Sequence, residues 1–179
     1  MPGSCERTMD RKVKPNTSRP WQARTIGRLA RANLKNIKKI TEPVKEKHDV
    51  SIAEHTQTGG GNIYLNPIIS GRLTENEFKS EKREYPVDFG SASETLYMGK
   101  IVLPDGYAVD ELPKPKVIAM PANAAKFVYN LQQFGNVVSI TSQLSINKSL
   151  FIQDEYPFLR EFYNQVVAKQ AEQIVLKKK

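Results

Sequence analysis

The sequence predicts a mainly β protein: an antiparallel β-sandwich with a C-terminal helix, preceded by a basic N-terminal helix. Three observations carry that prediction. Short apolar runs separated by Pro, Gly and Asn turns fill residues 48–152. Between Val138 and Ile152 the aliphatic residues fall on alternate positions, the period of a half-buried strand. Between Leu159 and Val167 they fall instead at helical spacing.

Residues 1–23 hold Pro2, Pro15 and Pro20 among polar and charged side chains, and they predict an unstructured or misassigned start. Ile26, Leu29, Ala30, Leu34, Ile37 and Ile40 recur at helical spacing, decorated by Arg24, Arg28, Arg31, Lys35, Lys38 and Lys39. The expectation is a basic helix ended by Pro43, with residues 24–47 forming helix and linker and residues 48–179 the β domain. Val50 and Ile52 predict a short strand, Thr58-Gly59-Gly60-Gly61-Asn62 a turn, and Ile63-Tyr64-Leu65 a second strand pairing with the first. Phe78 is the anchor of a polar stretch over residues 70–82. Tyr85 to Phe89 is extended, and Pro86 favours a sheet edge.

Thr95 to Leu103 predicts a strand stopped by Pro104-Asp105-Gly106, and Tyr107 to Leu112 the next one. Val117 to Met120 and Phe127 to Leu131 follow. Val138, Ile140, Leu144, Ile146, Leu150 and Ile152 would share one buried face. Ser139, Thr141, Gln143, Ser145, Asn147 and Ser149 would share the wet one. Asp154 is a candidate cap and Pro157 a first-turn residue of the final helix. The stripe of Leu159, Phe162, Tyr163, Val166 and Val167 would cover a sheet edge or an open end. Ile174-Val175-Leu176 fits either a last strand or a helix end, and Lys177 to Lys179 a solvated tail. This pattern suits a sandwich of immunoglobulin-like general architecture.

Charge is uneven along the chain. Residues 1–48 carry 13 Lys+Arg against 4 Asp+Glu, while residues 49–179 carry 14 against 15. The overall charge of +8 therefore belongs to the N-terminal quarter, which removes any whole-domain argument for nucleic-acid binding. A narrower alternative remains: nucleic acid or an anionic membrane bound by residues 7–47. No window holds the ~18 apolar residues of a membrane span, and no export signal is visible. Such a chain stays in the cytoplasm or lacks its true N-terminus.

The search for chemistry yields no catalytic, cofactor-binding or metal-ligating residue. Cys5 with His48 or His55 is the one Cys/His combination available, and Cys5 lies in a polar, Pro-rich stretch with nothing to activate it. Two histidines without a third ligand make a weak metal site. Gly59-Gly60-Gly61 lacks the Lys-Ser/Thr of a phosphate loop. Asp110-Glu111 and Asp154-Glu155 are adjacent pairs that point apart, as turn and cap residues do. Tyr64, Tyr85, Phe89, Tyr107, Phe127 and Tyr129 fall in strands and are expected in the core.

Several short motifs occur in a recognisable order: Ile40-Thr41-Glu42-Pro43-Val44-Lys45-Glu46, Ile63 to Pro67, and Arg83 to Phe89. They continue through Leu103 to Tyr107 with Glu111-Leu112-Pro113, then Tyr156, Leu159, Phe162-Tyr163 and Ala171 to Lys178. In these the chain resembles the C-terminal β domain, of unknown function, of bacterial transglutaminase-like proteins. That family keeps its Cys/His/Asp triad in a papain-like core, which has no counterpart here. The resemblance therefore implies a non-catalytic accessory module, with a transglutaminase-like catalytic domain or another protein as partner. It also implies a periplasmic or cell-surface location.

Overall fold

The computed structural model describes residues 28–36, 41–42, 45–51 and 55–179. Strands β1 (Arg28–Lys35) and β2 (Lys45–Ser51) form an antiparallel pair. This corrects the expected basic helix. The described part of residues 24–40 is a strand, and Ile26, Ile37 and Ile40 lie outside the described residues. Helical spacing is only a local preference, and a partner strand overrides it. The register sets Leu29 opposite Val50 and Arg31 opposite Asp49. Asn36 then takes a φ of 65°, which no helix continues through. The boundary drawn between residues 47 and 48 falls inside β2.

Strands β3 (Thr56–Gly59) and β4 (Asn62–Leu65) make the next hairpin. Its two-residue turn, Gly60-Gly61, has φ values of 61° and 82°, the double positive φ that a type I′ turn needs. The strand around Val50 therefore pairs with β1 rather than with Ile63–Leu65, and the turn is tighter than the sequence suggested.

An irregular stretch leads to β5 (Val87–Asp88), β6 (Ser93–Val102), β7 (Tyr107–Glu111) and β8 (Lys116–Ala119). Then come β9 (Ala125–Phe134), β10 (Val137–Ile146), β11 (Leu150–Phe151), helix α1 (Tyr156–Ala171) and β12 (Ile174–Lys178). One four-stranded sheet runs β6-β10-β9-β8 and another β3-β4-β12-β7, with β5 and β11 forming a small ladder. Every described pairing is antiparallel. The fold is thus mainly β, sandwich-like, with a C-terminal helix, as the alternating pattern predicts.

Strand β10 carries the predicted alternation: Val138, Ile140 and Ile146 are buried, and Ser142 joins them. The alternation does not run on to Ile152. The chain leaves the ladder at Asn147–Ser149 and returns in β11 with the opposite parity, so Phe151 is buried while Leu150 and Ile152 are exposed. Asp154 does not cap α1. A 3-10 turn, Gln153–Glu155, leads into the helix, and the Glu155 carboxylate accepts the Ile152 N–H at 2.9 Å. Pro157 occupies the first turn as expected.

The α1 stripe of Leu159, Phe162, Tyr163 and Val166 is buried. The edge strand β8 is among the strands it covers, as expected, and the cover extends inward from there. The helix packs against β8 and lies on the inner sheet face, where Lys169 sits over the Tyr129 ring and Gln170 reaches Ser142. Residues 174–178 are a strand at the centre of the second sheet, so Lys177 and Lys178 belong to it rather than to a tail.

Candidate interaction surface

Strand register sorts the side chains of the β6-β10-β9-β8 sheet into two faces. Inward point Tyr97, Gly99 and Ile101 of β6, opposite Ser142, Ile140 and Val138 of β10. Beyond them lie Phe127, Tyr129 and Leu131 of β9, all buried. Gly99 is needed here. A Cβ on it would meet Ile140 Cγ2 at 2.9 Å and the Tyr97 hydroxyl at 3.2 Å. With that space free, the Tyr97 ring leans along β6, and its hydroxyl donates to the Pro67 carbonyl at 3.1 Å and accepts the Ile69 N–H at 3.2 Å. Those bonds tie β6 to the chain leaving β4.

The outward face is floored by Ser139, Thr141, Gln143 and Ser145. Around this polar floor stand apolar side chains left in water: Leu96, Met98 and Val102 on β6, Val117 on β8 and Phe134 on β9, between 52% and 71% exposed. Val102, Val137 and Phe134 form one cross-strand row, and Leu96, Gln143, Val128 and Val117 another. Exposed apolar residues concentrated on one sheet face mark a contact surface more often than scattered ones do.

Two clefts open elsewhere. A mainly apolar one of about 390 Å³ lies between the sheets, lined by Ile63, Leu65, Ile101 and Leu176, with His55 among its walls. His55 Nε2 is 2.8 Å from the Asn66 carbonyl, so this nitrogen serves as a tether. A second cleft of about 290 Å³ is bounded by Phe78, Arg83, Asp88 and Tyr156. Phe78 is the anchor the sequence indicated, making edge-to-face contacts with Phe89, Tyr156 and Tyr163.

A buried polar group at the end of α1 is structural. Asn66 Nδ2 donates to the Gln170 carbonyl at 2.8 Å, and Gln170 Oε1 accepts the Leu73 N–H at 2.8 Å. Lys169, 5% exposed, places Nζ 2.5 Å from Glu172 Oε2 and 5.3 Å from the Tyr129 ring centroid. The Tyr129 hydroxyl has no hydrogen-bond partner among the described residues. Burial, with Glu172 and Tyr97 adding to it, pushes its pKa well above that of an ordinary phenol. Burial thus favours its neutral form.

The residues considered for chemistry are dispersed. Cys5 lies outside the described residues, as does the side chain of His48, whose backbone pairs with Ala32 in β2. Gly60 and Gly61 are the turn already described. Asp110 and Glu111 are exposed at the end of β7 rather than in a turn. Glu155 pairs with Lys148 at 2.6 Å. Tyr85, expected in the core, is 79% exposed. Among the described residues no three His, Cys, Asp or Glu side chains come together, and no helix is long and apolar enough to cross a membrane. Sequence reasoning missed the outward apolar set. Its signal was available: Leu96, Met98 and Val102 alternate along β6 with Tyr97, Gly99 and Ile101.

Comparison with known proteins places this geometry. A family model described as a domain of unknown function with a solved structure, DUF3858, matches residues 61–176. The chain belongs to the DUF3858 family. Among solved structures, a Parabacteroides distasonis chain described as "a putative protease" shares the fold, with a TM-score of 0.55 and 17% identity. The match covers 67% of this chain and 24% of that one, so the chain spans about a quarter of that longer protein. No curated protein matches the sequence.

Proposed function

We propose that this chain is a non-catalytic accessory module of the transglutaminase-like, protease or amidase class, and that it works by packing on a catalytic core. The observation that carries the reading is the outward sheet face, where apolar side chains surround a hydroxyl- and amide-rich floor. That composition suits a protein partner with both apolar and hydrogen-bonding groups. Two further points support it. The fold recurs as part of a longer chain described as "a putative protease". The ordered motifs from Ile63 to Lys178 resemble those of the β domain that follows a transglutaminase-like core.

The alternative, a basic amphipathic helix gripping nucleic acid or an anionic membrane, loses its geometry over residues 28–35, which form a strand.

The test is reconstitution with a transglutaminase-like core from the same genome. The expected result is a defined complex, abolished by Phe134→Asp or Val117→Asp, and no turnover of ester, peptide or amide substrates by the chain alone. Turnover by the chain alone, or a complex indifferent to both substitutions, overturns the proposal.

A further inference from the structure

The edges of the β6-β10-β9-β8 sheet are built very differently, and one of them fits a specific partner. Edge strands are open templates for another strand, and proteins usually blunt them with shortness, proline, charge or a bulge. Strand β8 is four residues long, between Pro115 and Pro121. Strand β6 is ten residues long, contains no proline and holds register with β10 without a shift. Among the described residues no strand pairs with its outer edge.

Parity shows which groups that edge presents. The Leu103 N–H donates to the Asn136 carbonyl at 2.8 Å, which continues the β6–β10 ladder by one pair. Odd-numbered residues of β6 therefore direct their backbone groups to β10. The even-numbered ones, 94 to 102, direct theirs outward. Their side chains also stand on the outer face.

We infer that β6 is a homotypic docking edge: two copies of this chain join antiparallel along β6 about a two-fold axis at Tyr97, with Glu94 facing Lys100 and Leu96 facing Met98. The two four-stranded sheets then become one continuous sheet. A strand can pair with its own copy in several registers. Centring on Leu96 sets Glu94 against Met98, and centring on Met98 sets Lys100 against Leu96. Centring on Tyr97 alone matches opposite charges at both ends and apolar side chains in the middle, and it brings outward N–H and C=O groups into register on both strands. Isologous contact requires this kind of self-complementarity. Strand addition supplies main-chain hydrogen bonds, and the cross-strand side-chain pairs supply selectivity. The inference does not rest on core binding: it uses the outer backbone edge of β6, although Leu96 and Met98 also belong to the outward face.

Sedimentation of the full chain over a range of concentrations provides the test, with circular dichroism to confirm that each variant folds. A monomer–dimer equilibrium is expected. Lys100→Glu alone, which sets two like-charged pairs across the axis, should weaken it about tenfold or more. The exchanged pair, Glu94→Lys with Lys100→Glu, should restore it. A wild-type chain that stays monomeric overturns the inference, and so does a dimer that treats the single and exchanged variants alike.

Discussion

The two faces of the β6-β10-β9-β8 sheet come from the same strands and the same alternation, yet they meet different surroundings. Inward, Phe127 and Tyr129 are essentially inaccessible beneath α1 and the second sheet. Outward, Phe134 on the same strand is 66% exposed. Residue type alone does not decide burial. A phenylalanine is in the core only where another element lands on it, and α1 lands on one side only. The outward apolar residues therefore contribute little to folding and are free to serve contact.

The strongest way to break this contrast is to truncate one aromatic on each face. Phe127→Ala should cost about 3–5 kcal/mol, and Phe134→Ala less than about 0.5 kcal/mol, by urea denaturation. Equal costs would mean that the outward face is covered in the free chain. A smaller effect sharpens the inward side. Gly99→Val should cost about 1–3 kcal/mol, because its side chain must displace the Ile140 methyl and the Tyr97 ring that leans along β6.

The smallest effect concerns pH. The Glu155 carboxyl, bonded first by Lys148 and then by the Ile152 N–H, titrates below its ordinary value near 4.5. Its contribution is present above that value and fades as pH falls through the lower folded value. Lys148→Met should bring the Glu155 titration, followed by carboxyl NMR, back toward the ordinary range and flatten the acid side of the stability profile.

Much of this fold was legible where one short-range rule governed. The alternation of β10, the Pro104-Asp105-Gly106 stop and the α1 stripe each reflect a local pattern that burial reinforced. Legibility failed where a distant partner decided. Arg28–Lys35 has helical spacing but pairs with Lys45–Ser51, and Ile174–Leu176 fitted strand or helix until β4 and β7 were seen on either side. The parity break at Asn147–Ser149 was hidden because Leu150 and Ile152 happen to fall on even positions. Of the candidate surface, the sequence showed which residues alternate but not which of the two faces α1 would cover.

The position of β12 bears on how the chain assembles. Leu176 pairs with Ile63 on one side and Val109 on the other, so residues far apart in the chain meet in neighbouring strands. The β3-β4 hairpin can form early, but its sheet closes only when the last strand inserts. Loop-closure entropy makes such insertion slow, and until it happens β4 and β7 both offer bare backbone to any passing strand. The segment thus acts as a keystone: without it, β4 and β7 would each lose the strand that joins them.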